Sequence, residues 1–75
     1  MDDVRTVVIR DASIRLGQLL KLADLVDDGS EAKEVLIRGL VQVNGEVEVR
    51  RGRQLVPGDT VSFGGQTVGI ASGVH

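Results

Sequence analysis

Apolar residues change their spacing along the chain, and the changes divide it into an opening strand, a helical middle and a strand-rich remainder. Val4-Arg5-Thr6-Val7-Val8-Ile9 is rich in β-branched residues, which fit a pleated surface, and predicts a short outer strand. Leu16, Leu19, Leu20 and Ala23 recur at i, i+3, i+4 and i+7 and so share one helical face. They predict a helix over about 14–25, opened by Asp11 or Ser13 as its cap. Asp28-Gly29-Ser30-Glu31 predicts a second helix start, because an Asp and a Glu three residues apart can satisfy free backbone amides reciprocally. Ala32, Val35 and Leu36 form its apolar stripe, and Gly39 stands where a helix commonly ends in a left-handed residue.

Beyond Gly39 the period becomes two, with Val41 and Val43 before Asn44-Gly45 and Val47 and Val49 after it. Both residues of an Asn-Gly pair tolerate positive φ, so the segment predicts a β-hairpin. The basic stretch Arg50-Arg51-Gly52-Arg53 leads to Leu55 and to a turn at Pro57-Gly58-Asp59. Val61 and Phe63 alternate as a further strand, and Gly64-Gly65 turns it into a last strand over 67–70, leaving residues 72–75 as a frayed tail. The fold class is therefore α+β: two short helices followed by a β-hairpin and further short antiparallel strands, with the helices against one face of the sheet. Val35 and Leu36 must bury against Val41, Val43 and Val61 to give so short a chain a core.

With 75 residues the chain accommodates one domain, residues 1–75, and it has no cysteine to staple it. Its hydrophobic content of 41% suffices for a globular core. The start Met1-Asp2-Asp3-Val4-Arg5 lacks a secretory pattern, and no apolar run approaches the ~20 residues of a membrane span, so a cytoplasmic protein without membrane contact is expected. Nine Lys and Arg against eleven Asp and Glu give a net charge of −2, so any affinity for nucleic acid must come from local clustering.

The chain resembles the S4 RNA-binding family, whose shared (αL-type) core is two short helices followed by a β-hairpin, and it is most similar in pattern to small stand-alone bacterial members. The resemblance spans about 14–63. It is carried by Arg15-Leu16 with Leu19-Leu20, by Gly29 and Ala32-Lys33, by Ile37, and by the run from Gly39 through Val43-Asn44-Gly45, Arg50-Arg51-Gly52-Arg53 and Pro57-Gly58-Asp59. The pattern departs at Gly17, where many relatives carry an acidic residue, and at Asp28-Gly29-Ser30, where they carry Ser-Arg. The resemblance implies binding to structured RNA, ribosomal RNA included, by a monomer without cofactor or small-molecule substrate.

Arg50, Arg51 and Arg53 are the densest positive charge in the chain, and guanidinium forks suit phosphate oxygens. As residues alone they read equally as a solvated basic edge, and the family pattern favours RNA contact. Lys33, at the start of helix two, stands where a helix terminus attracts anions, although Asp28 and Glu31 compete for that end. Arg38 lies one turn after Glu34 and reads first as helix support, with RNA contact as an outlying candidate role. Arg15 is a candidate through the family pattern, and Lys21 merely lies near it. Phe63, the only aromatic residue, is assigned to the core, which leaves no stacking platform for single-stranded bases. The acids Asp24, Asp27 and Asp28 read as helix capping and not as a metal site, and His75 stands alone at the C-terminus. No nucleophile arrangement is present, so no catalytic residues and no enzymatic activity are expected. The alternative function is a non-catalytic protein-interaction adaptor. A sulfur-carrier role is disfavoured because carriers end in Gly-Gly, whereas here Gly64-Gly65 lies inside a hairpin.

Overall fold

In the computed structural model, which describes residues 4–73, the β-branched opening run forms strand β1 (Val4–Ile9). The chain continues through β2 (Ile14–Arg15), α1 (Leu16–Leu22) and α2 (Gly29–Ile37). The remainder is β3 (Gln42–Val43), β4 (Glu46–Val47), β5 (Gln54–Leu55), β6 (Thr60–Phe63) and β7 (Gln66–Ser72). A five-stranded sheet runs in the order β1-β7-β6-β3-β4, and β2 pairs with β5 as a separate two-stranded ladder. The sheet is mixed where an antiparallel one was expected, because β1 pairs with β7 in parallel. Parallel neighbours need a long crossover, and here the helices and the first hairpin supply it.

Helix α1 is shorter than its apolar spacing predicts, and neither Asp11 nor Ser13 caps it. Ile14 and Arg15 are extended, pairing with Leu55 and Gln54, and Arg15 is the N-cap residue without any side-chain capping bond. Two of the amides that a helix start leaves free are instead accepted by main-chain carbonyls: Leu16 N–H donates to Arg53 O (2.8 Å) and Gly17 N–H to Arg51 O (3.0 Å). The other end closes at Asp24, whose φ of 60° is left-handed. Asp24 N–H donates to Lys21 O and Leu25 N–H to Leu20 O, the paired bonds of a Schellman motif. Arg5 of β1 reaches the same end and donates to Ala23 O at 2.6 Å, where a cation complements the helix dipole.

Helix α2 follows its sequence signals closely. Asp28 Oδ1 accepts from Glu31 N–H (2.9 Å), while Glu31 Oε1 accepts from Asp27 N–H (2.6 Å), one residue earlier than in a strict capping box. Gly39, at φ +71°, completes a second Schellman motif: Gly39 N–H donates to Leu36 O and Leu40 N–H to Val35 O. The hairpin turn has positive φ at both Asn44 (54°) and Gly45 (85°), the type I′ geometry. Asn44 also accepts from Thr60 N–H (2.9 Å) and donates to Asp59 (3.1 Å), which ties this turn to the start of β6.

One hydrophobic cluster joins Leu16, Leu19 and Leu20 of α1, Ala32, Val35 and Leu36 of α2, and Val43, Leu55, Val61 and Val68 of the strands. Phe63 packs against this cluster but is only partly buried. The tail begins later than expected: Ser72 ends β7 and Gly73 N–H donates to Ile9 O, whereas Val74 and His75 lie outside the described residues. Among the described residues no helix is long and apolar enough to cross a membrane. Because Leu36 is 1% exposed in the centre of this cluster, Leu36→Ala is expected to cost ~2–5 kcal/mol, read as a lowered midpoint in thermal or urea unfolding. An unchanged midpoint contradicts this packing.

Candidate nucleic-acid interface

The basic segment after β4 contains one buried acid. Glu48 is 7% exposed, and its carboxylate gathers five donors: the amides of Val49 (3.0 Å) and Arg50 (3.1 Å), Arg50 Nε and Nη2 (both 3.2 Å), and Arg53 Nη1 (3.0 Å). The Arg50 guanidinium and amide, together with Arg53, hold the Glu48 carboxyl well below its usual 4.5, at about 2. Glu48 in turn raises the pKa of Arg50. The three arginines are therefore not equivalent. Arg50 and Arg53 share one carboxylate, while Arg51 forms no ion pair among the described residues.

Arg51 faces a different part of the molecule. Its carbonyl holds Gly17 N–H, and its side chain crosses directly over Gly17, so closely that a Cβ there would lie 2.5 Å from Arg51 Cγ. A cleft of about 280 Å³ opens beside it. Its walls are Arg15, Gly17, Gln18 and Lys21 from the entry and face of α1, Gly29 and Ala32 from α2, and Arg51 with Gly52 from the loop before β5. Three cations line this space and no carboxylate does. The small residues Gly17, Gly29, Ala32 and Gly52 keep the floor open. The cleft is thus suited to a polyanion approaching through its charged oxygens.

Of the residues singled out in the sequence, Arg15 and Arg51 meet in the cleft. Arg50 and Arg53 stand on the same loop but turn to Glu48. Lys33 falls on the second turn of α2, exposed and outside the cleft lining, while Asp28 already takes an amide of the first turn. Arg38 pairs with Glu34 at 2.8 Å, as the i, i+4 spacing suggests. Sequence reasoning set Lys21 aside and gave no role to Gln18. Lys21 stands six residues after Arg15 in a segment read as helical, but only the docking of the 50–53 loop shows that both cations face one space.

Two short helices and the basic loop before β5 frame a cationic cleft, which defines a small α+β binding module. The chain belongs to the S4-domain family, whose model matches residues 7–71. It is 39% identical over 59 residues to the Escherichia coli (strain K12) protein named "Putative RNA-binding protein YbcJ", covering 79% of this chain and 84% of that one. It is 50% identical over 52 residues to the Bacillus subtilis (strain 168) "Probable ribosome maturation protein RlbA", covering 69% and 73%. The solution structure of E. coli YbcJ, described as revealing an ALFAL motif involved in RNA-binding, aligns with a TM-score of 0.65 at 34% identity, over 91% of this chain and 85% of that one. The 30S ribosomal protein S4e of Thermoplasma acidophilum aligns with a TM-score of 0.58 at 26% identity, over 77% of this chain and 31% of the other.

The depressed carboxyl of Glu48 has a consequence for acid stability. A carboxylate held lower in the fold than in the unfolded chain contributes stability above its unfolded pKa and loses it as pH falls toward the folded value. For Glu48 that window runs from 4.5 down to about 2. Asp59, lowered by the Val56 amide and the Asn44 side chain, acts in the same direction. Glu48→Gln is therefore expected to flatten the fall of the urea midpoint across this window, leaving the residual slope due to Asp59. Parallel pH curves for the variant and the wild type contradict the assignment.

Proposed function

We propose that this chain is a non-catalytic RNA-binding module that, as a monomer, recognises structured RNA, ribosomal RNA included, chiefly through the phosphate backbone. One observation carries the reading: Arg15, Lys21 and Arg51, drawn from two separate parts of the chain, line one cleft without any acidic side chain. Membership of the S4 family supports it, as do the RNA-binding and ribosome-maturation roles that the names of YbcJ and RlbA carry. The mode of recognition follows from what the surface offers. Single-stranded bases are usually held by stacking on exposed aromatic rings, and the only aromatic side chain packs against the core. Phosphates and 2′-hydroxyls of a folded RNA are what cationic forks and a small-residue floor can engage. Arg50, Arg53 and Lys33 add positive field at the margin, and Arg38, engaged by Glu34, contributes least.

The adaptor reading draws on the exposed apolar side chains Ile37, Leu40 and Val47, none of which lines the cleft. A salt series separates the two readings. With three phosphate contacts, log K for an RNA hairpin should fall with log salt at a slope of roughly −2 to −3, from ~0.7–0.9 per contact. Arg51→Gln should weaken binding about tenfold, as expected for one hydrogen bond to a charged group, and flatten the slope by about one unit or less. A salt-independent interaction, or equal affinity for an unstructured oligomer of the same length, contradicts the proposal.

Gly17 gives a second test, one that leaves every charge in place. A methyl group at this position collides with Arg51 Cγ and approaches Cδ at 3.2 Å, so the arginine must leave its seat. Alanine also favours helix over glycine by ~1 kcal/mol, which protects the fold. Gly17→Ala is thus expected to retain the wild-type melting temperature within a few degrees and to lose most of the affinity that Arg51→Gln loses. Full affinity in the alanine variant would show that the position of Arg51 over Gly17 is irrelevant.

A further inference from the structure

An acid at the start of a basic segment read as binding phosphate should weaken binding through its charge, yet Glu48 is the most highly connected side chain of that segment. Its five donors come from Val49, Arg50 and Arg53, so one carboxylate gathers the backbone on one side of Arg51 and the side chain on the other. Its own N–H donates to Val41 O (3.0 Å), which ties the start of the loop to the residue leading into β3. The far end of the loop is held by Leu16 and Gly17, whose amides donate to the carbonyls of Arg53 and Arg51. Between these two attachments Arg51 has little freedom. We infer that Glu48 is a positioning residue of the RNA-binding cleft, fixing the course of residues 48–53 so that Arg51 is held over Gly17 as one cleft wall.

This inference rests on the RNA reading above and inverts a simple electrostatic expectation. If Glu48 acted only through its field, replacing it with a neutral residue would add net positive charge, release Arg50 and Arg53, and strengthen RNA binding. As a positioning residue it has the opposite effect. Losing the clamp lets the loop wander, the ordering of Arg51 must then be supplied on binding, and affinity falls.

The experiment is a double-mutant cycle on the full chain, with Glu48→Gln, Arg51→Gln and the double variant titrated against one RNA hairpin over a salt series. Glu48→Gln is expected to weaken binding by about three- to tenfold and to flatten the salt slope by roughly 0.7–0.9, the value of one lost contact. In the Arg51→Gln background the same change should cost less than about twofold, because residues acting through one another are not additive. Amide hydrogen exchange supplies a readout independent of RNA: Leu16 and Gly17 should exchange faster in Glu48→Gln while Val43 and Val61 do not. Should every amide exchange faster, Glu48→Asp decides, since it keeps the charge and shortens the reach. A field effect leaves Asp at wild-type affinity, and a positioning role lowers it. Unchanged or stronger binding in Glu48→Gln, or fully additive losses in the cycle, overturns the inference. Failure of the RNA reading looks different: binding by the wild type then responds neither to salt nor to Arg51→Gln.

Discussion

Two main-chain hydrogen bonds, from Leu16 and Gly17 to the carbonyls of Arg53 and Arg51, determine how the two halves of this molecule meet. A helix start leaves amides that must be satisfied, and most helices use a side chain of their own for this. Here the entry residue is Arg15, which makes no such bond, so the start of α1 depends on a loop more than thirty residues away in the chain. The same attachment continues the short ladder between β2 and β5 and brings Leu55 into contact with the helical core. It also delivers Arg51 to a wall of the cleft. Stability of the first helix and the composition of the site are thereby one structural fact.

The constraint explains why glycine stands at position 17. The Arg51 side chain lies so close above that a Cβ fits only if the arginine is displaced, and an acidic side chain here would put a carboxylate against it. Glycine here keeps negative charge off the floor and leaves space for the cation. A chain of net charge −2 can in this way present a carboxylate-free cleft. Its acids are used elsewhere. Asp28 and Glu31 satisfy amides at the start of α2, Glu34 holds Arg38, Asp59 closes the turn before β6, and Glu48 binds the basic loop from behind. Total charge governs solubility and long-range steering, whereas binding at a site follows the charges within a screening length of it.

The legible parts of this fold are those whose causes are local. Asp28 with Glu31, Gly39, and Asn44-Gly45 each carry their conformational reason within a few residues, and α2 and the first hairpin stand where those signals put them. The start of α1 was not legible because its cap is supplied by Arg51 and Arg53, which no local spacing reveals. The parallel pairing of β1 with β7 has the same character, since the period of a strand says which face is buried and nothing about its neighbour. Of the site, the arginine run announced its charge but not its division of labour. Only tertiary structure shows Arg50 and Arg53 turned to Glu48, and Arg51 turned toward Arg15 and Lys21.

On the proposed reading, one cleft, built by the docking of the basic loop onto α1, is where RNA is engaged. An amide chemical-shift titration of the labelled protein with a short RNA hairpin tests this most directly. The largest changes are expected at Gly17, Gln18, Gly29, Arg51 and Gly52, which surround the cleft, with little change at Thr6 and Val8 on β1. Changes concentrated instead around Ile37, Leu40 and Val47, with the cleft amides unmoved, would contradict it.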